Sequence, residues 1–197
     1  MRSIRKDVFL SALECPTKGW KLYHGLDMPK LSVCDEFRIH QGQEIGRRAR
    51  HLYPGGVLVY ETHPDQALQR TRSILERQER DTIFEATVRY GALTARADIL
   101  TRQGDGWHLI EVKSGLSDKK EYQADLAYTM MVFSTSGLDI TRASLLLLSK
   151  EYRLGDPQEA LFLLVDKTAQ VIALSQDMSE IAGQVTAMLS DVDSPEA

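Results

Sequence analysis

An α/β domain built on a mixed sheet flanked by helices is the fold the sequence predicts, and three observations predict it. Residues 81–113 hold three runs of strand-forming residues separated by two glycine turns. Residues 119–136 place Tyr122, Leu126, Met130 and Phe133 at helical spacing. Residues 141–149 include the unbroken apolar run from Leu145 to Leu148, the signature of a strand covered on both faces. Strands interleaved with helices in this order give an α/β layering.

The three-strand meander carries the chemistry. A tight turn at Gly104-Asp105 sets Asp98 opposite Glu111, and a second at Gly91-Ala92 sets Glu85 opposite Asp98. Side chains alternate along a strand, so Glu111 and Lys113 share a face and Val112 points away. Three carboxylates on neighbouring strands repel one another, and a divalent cation would offset that repulsion. The simplest alternative is a solvated hairpin face made of Arg96, Asp98, Glu111 and Lys113. Against it, Ala97, Ile99, Ile110 and Val112 make one side apolar while Leu100, Trp107 and Leu109 make the other partly so. A sheet apolar on both sides is covered on both sides, which puts the charges in or beside a cleft.

The rest of the chain reads as one domain over 1–197: a helical arch over 1–38, a core over 39–175, and a C-terminal helix and tail over 176–197. A short helix over 3–13 stops before Cys15-Pro16, because the residue before proline is pushed out of helical geometry. Residues 15–37 lack a clear period and are expected to form an irregular, partly helical arch, with Trp20 and Tyr23 as packing anchors. A helix over 37–53 ends at Pro54-Gly55-Gly56. A short strand over 57–60 and a helix over 64–78 precede the meander. After residue 149 come a strand over 160–165, a short partner strand over 170–174 and a helix over 178–189, then a frayed acidic end.

Of the 197 residues 43% are hydrophobic and 26% charged, ordinary for a soluble globular domain. No apolar run approaches the ~18 residues of a membrane span. The first fifteen residues carry charges where a secretory signal is apolar, so a cytoplasmic protein without a membrane partner is expected. A net charge of −4 does not by itself announce a nucleic-acid binder. Basic residues are nevertheless clustered locally. Arg70, Arg72, Arg77 and Arg80 alternate with Glu76 and Glu79 and read as a solvated helix face. Arg47, Arg48 and Arg50 form a second knot, and Lys119, Lys120 and Tyr122 sit at a helix start, where free backbone N–H groups suit a phosphate. Arg47, Arg48, Arg50, Lys119 and Tyr122 are therefore the candidate nucleic-acid contacts.

Asp98 followed thirteen positions later by Glu111-Val112-Lys113 at a strand end, with a helix next, resembles the PD-(D/E)XK nuclease superfamily. The strings Arg96-Ala97-Asp98-Ile99-Leu100 and Ile110-Glu111-Val112-Lys113-Ser114-Gly115 are similar to those of its RecB-type branch, which includes the CRISPR-associated exonucleases of the fourth numbered Cas family and uncharacterised bacterial relatives. The resemblance spans residues 82–128 and, more sparsely, 13–56. It implies a restriction-endonuclease-like core and a Mg2+ or Mn2+ ion held by Asp98, Glu111 and the Val112 carbonyl. Glu85 would reach the ion through water or bind a second one. By the same resemblance Lys113 orients or deprotonates the attacking water and steadies the transition state. The implied reaction is hydrolysis of DNA, with single strands or ends favoured, in repair, recombination or phage defence.

Three departures from the family pattern accompany the match. Relatives carry Gly-x-x-x-His on the helix expected here over 37–53; in this chain Gly46 is followed four places on by Arg50, the histidine comes one place late at His51, and Glu44 is an alternative ligand. Thr129 stands where relatives have glutamine. Cys15-Pro16 resembles the early element of relatives that hold a four-iron cluster, yet no cysteine follows Cys34, so an iron-sulfur cluster is not expected in this chain. These departures keep a second expectation in view: a catalytically weak or inactive nuclease-fold module that binds DNA or a protein partner, or that pairs with its own copy.

Overall fold

Two glycine turns organise the centre of the sheet in the computed structural model, which describes residues 2–26 and 31–195. Gly91 and Gly104 have φ of 57° and 59°, the left-handed region that glycine enters without a Cβ clash. They reverse β2 (Thr82–Tyr90) into β3 (Leu93–Gln103), and β3 into β4 (Gly106–Val112). Ala86 lies opposite Ala97, and Ile99 opposite Ile110, the register that the turn positions dictate.

Six strands line up in chain order. β1 (Val57–Leu58) runs parallel beside β2, β5 (Ile140–Leu148) runs parallel beside β4, and β6 (Phe162–Asp166) closes the edge antiparallel to β5. A parallel neighbour needs a crossover, and α5 (Lys120–Thr135) supplies it between β4 and β5. Its residues from Leu126 to Phe133 are all buried, so α5 is the central pillar of the main core. Around it pack α1 (Lys6–Glu14), α2 (Pro16–His24), α4 (Pro64–Arg77) and α6 (Thr168–Ser190), through Phe9, Tyr23, Ile74 and Val171. A smaller core of Ala49, Phe84, Ile99, Ile110 and Leu146 covers the opposite face beneath α3 (Val33–Ala49).

Three expectations are corrected. The stretch over 15–37 is not an irregular arch: Pro16 ends α1 and is also the first residue of α2, where its missing N–H costs nothing. Farther along, Ser32 and Asp35 exchange bonds in a capping box that starts α3 earlier than residue 37. Residues 27–30 of that stretch, and 196–197 of the tail, lie outside the described residues. Residues 170–174 are not a strand but the first turns of α6, whose buried Val171, Ser175 and Met178 follow helical spacing. The expected division between residues 175 and 176 thus falls inside one helix.

The third correction concerns the faces of the sheet. Phe84 and Ile99 belong to the smaller core, whereas Ala86 and Ala97, each two residues away, belong to the larger one. Strict alternation would have kept each pair on one face. Between them lie Glu85, with φ of 58°, and Asp98 opposite it. The irregular backbone there resets the alternation, as bulges do. Among the described residues, no helix is long and apolar enough to cross a membrane.

Helices α1 and α2 touch through Gly19, where a Cβ would fall 2.6 Å from the Ala12 backbone nitrogen. Gly19→Ala is expected to destabilise the fold by about 1–3 kcal/mol, read as a lower denaturant midpoint with an unchanged slope.

Candidate active site

The site lies where the β3–β4 ladder opens. Pairing of the two strands extends as far as Ile99 and Ile110. Past that point the Val112 N–H donates to Asp98 Oδ2 at 2.7 Å, while Glu111 and Val112 stay paired with Leu145 and Leu146 of β5. β3 goes on with β2 alone, and its freed edge is taken by the N-terminal segment. The Ile4 N–H donates to the Ala92 carbonyl at 2.8 Å, and the Thr94 N–H donates to the Ile4 carbonyl at 2.9 Å. The Tyr128 hydroxyl lies within hydrogen-bond reach of the carbonyls of Ile4 and Thr94, at 3.0 and 3.2 Å. This fixes the start of α1, and with it Lys6.

Glu111 is 4% exposed. Its Oε1 accepts from Lys6 Nζ at 2.7 Å and from Lys113 Nζ at 3.0 Å, while Oε2 is buried without a hydrogen-bond partner. The Lys113 ammonium also forms a short bond with the Asp125 carboxylate of α5. Asp98, Glu111, Val112 and Lys113 line one cleft of about 330 Å3, closed from the other side by Gln43 and Gly46 of α3 and by Arg50 in the 3-10 turn that follows. A carboxylate oxygen kept from water with no donor is costly. Two acidic side chains, one presenting such an oxygen, are a donor set that fits a hard divalent cation.

Charge is distributed unevenly over this cluster. Burial first, and then the neighbouring Glu111 charge, push the Asp98 carboxyl up to about 7. Burial would raise Glu111 as well, but Lys6 and Lys113 outweigh it and hold Glu111 well below the usual carboxylate range. For Lys113, burial favours the neutral amine and is outweighed by Glu111 and Asp125, so its pKa is raised and the group is an ammonium. Between those two carboxylates it is placed to donate hydrogen bonds.

The other expected residues fall in several places. Glu85 lines the same cleft as Asp98 and Glu111, with its carboxylate engaged by Arg96 at 3.0 Å and 4.0 Å from Arg50. Among the described residues, no three histidine, cysteine, aspartate or glutamate side chains come close enough to hold one ion together. Glu44 is turned to Arg47 and Arg48, both at 2.8 Å, on the exposed side of α3, and His51 is exposed. Arg47 and Arg48 therefore do not line the cleft, whereas Arg50 does. Thr129 is fully buried and donates to the Asp125 carbonyl of its own helix. Lys119 is exposed, and its ammonium lies 5.5 Å from the Tyr122 ring centroid, with Lys113 5.3 Å from the same ring.

Two contributors escaped the sequence reading. Lys6 lies 105 residues from Glu111 along the chain, and nothing local ties them. Asp125 did leave a signal: it follows Tyr122 by three residues and precedes Thr129 by four, an acid at helical spacing from an inward-facing aromatic and a buried threonine. Beside the first cleft lies a second, of about 580 Å3, lined by the basic Arg2, Arg5, Lys6 and Arg96 and the acidic Asp7 and Glu61, with Asp7 paired to Arg5 at 2.9 Å. The ion pairs Lys6–Glu111 and Arg96–Glu85 join the two clefts.

In sequence the chain matches no protein-family profile and no curated protein. In fold it is similar to the alkaline exonuclease LHK-Exo from Laribacter hongkongensis, with a TM-score of 0.51 and 13% identity over 95% of this chain and 89% of that one. LHK-Exo in complex with dAMP superposes with a TM-score of 0.45 and 14% identity, over the same shares of the two chains. The helix-flanked, mixed six-stranded sheet is thus an α/β fold that a solved nuclease shares.

The raised Asp98 carboxyl has a stability consequence. Between its unfolded value near 4 and its folded value of about 7 the native state binds more protons than the unfolded chain, so metal-free stability falls as pH rises through that window. The depressed Glu111 acts only below pH 4.5, with opposite sign. Chemical denaturation at pH 5 and pH 8 is expected to show this loss in the wild type and its absence in Asp98→Asn.

Proposed function

We propose that the chain is a metal-dependent deoxyribonuclease of the PD-(D/E)XK superfamily, in its RecB-type branch. The observation that carries the reading is the opened strand pair: Asp98 and Glu111 face one cleft beside the Lys113 ammonium, and Glu111 presents a buried oxygen that no donor satisfies. The fold likeness to an exonuclease agrees with it.

Asp98, Glu111 and the Val112 carbonyl would hold Mg2+ or Mn2+. Such an ion, when bound, lowers the pKa of a coordinated water and offsets charge on the scissile phosphate. Lys113, kept charged between Glu111 and Asp125, orients the water and stabilises the developing negative charge. Tyr122 backs the same ammonium. Glu85 stays with Arg96 and shapes the wall of the cleft. The polyanion is drawn by Arg50 in the first cleft and by Arg2, Arg5 and Arg96 in the second, with Lys119 at the start of α5.

A second reading has its own support. With Glu85 taken by arginine and Thr129 bonded within its own helix, the chain could be a nuclease-fold module that binds DNA without cutting it. Lys113→Ala separates the two. For the enzyme, kcat with Mn2+ drops about 10²–10³-fold while folding and DNA binding persist. If wild type and variant are equally inert on single-stranded DNA, double-stranded DNA and RNA, the binding module is the correct reading.

The arginines make a further distinction. Arg5→Glu is expected to weaken single-stranded DNA binding about tenfold and to flatten its salt dependence by about one unit of slope. Arg47→Glu, on the exposed side of α3, should leave both near wild type in a fluorescence-anisotropy titration.

A further inference from the structure

We propose that Lys6 is a positioning residue for the metal centre: its ammonium, with that of Lys113, ties down Glu111 Oε1 so that Oε2 is the oxygen offered to the cation. The inference rests on the reading of the cleft as a divalent-metal site.

Glutamate has three rotatable bonds between backbone and carboxylate, and a ligand that swings loses affinity and precision alike. Two ammonium groups reach Oε1 from different elements. Lys113 lies just past the end of β4, two residues on from Glu111, and is shared with Asp125. Lys6 comes from the first turn of α1 at 2.7 Å, the shorter of the two bonds to Glu111. Its own position is secured, because Ile4 two residues earlier is held by backbone bonds on β3 and lies under the Tyr128 hydroxyl. With Oε1 doubly engaged, Oε2 is left buried and unpartnered.

The sign of the charge makes the role specific. An ammonium beside a cation site repels the cation, so Lys6 as a bare charge would weaken metal binding. Removing it would then tighten binding or leave it alone. Removing a positioning group does the opposite, and loss of such outer partners typically costs 10- to 100-fold in metal affinity or activity.

The test is Mn2+ binding by titration calorimetry on the full chain, with denaturant midpoints as a check on folding. Lys6→Met is expected to weaken Mn2+ binding about 10- to 100-fold, Lys6→Arg to fall between it and wild type, and Asp98→Asn to abolish binding. If Lys6→Met does not fold, Lys6→Gln carries the same comparison. Binding by the uncharged variant as tight as wild type or tighter, with Asp98→Asn still abolishing it, overturns the role of Lys6 and leaves the nuclease reading standing. Equal binding by wild type and Asp98→Asn overturns the metal reading, and the proposal with it.

Discussion

One hydrogen bond sets the geometry of the whole site: the Val112 N–H that leaves the strand ladder and finds the Asp98 carboxylate. A buried backbone donor must be paired somewhere. By pairing with a side chain, β4 parts from β3 without leaving an orphan, and the space between them becomes the cleft. The irregular backbone at Glu85 serves the same end, because it lets β2 and β3 change faces while keeping register. The opening also exposes an edge of β3, and the N-terminal segment covers it. A seam in the sheet thus explains the cleft, the placement of α1 and the arrival of Lys6.

The electrostatics follow from the same opening. Acids crowded at a sheet fork need compensation, and this chain supplies much of it from its own cations. Lys6 and Lys113 serve Glu111, while Arg96 and Arg50 serve Glu85. Asp98 accepts from the Val112 backbone donor, and burial together with the neighbouring Glu111 charge drives its carboxyl upward. The asymmetry sets the cluster apart from a simple ion pair, which satisfies both partners: here one carboxyl is disfavoured as an anion and one glutamate oxygen is bare.

How much of this was legible depends on range. The meander and its register could be read because Gly91 and Gly104 mark turns that only a residue tolerant of positive φ makes cheaply. That Asp98 and Glu111 come to one cleft follows from the Gly104 turn, although the ladder stops one pair short of them. What alternation could not foresee is the change of face at Glu85, since a non-glycine residue there gives no warning of left-handed backbone. Val171 and Ile172 suggested a strand by composition, but the burial spacing of α6 overrides β-propensity. Proline 16 was read as a stop when it is equally a start. Lys6 was invisible because its partner is tertiary, whereas Asp125 was in view and undervalued, an acid among apolar neighbours on α5.

The cleft draws on both ends of a long stretch of polypeptide, since Lys6 and Asp125 both reach the Glu111–Lys113 pair. During synthesis on the ribosome the early segment must wait, solvated, until more than half of the protein has emerged. The bonds that order this cluster therefore form only once its central pillar has docked.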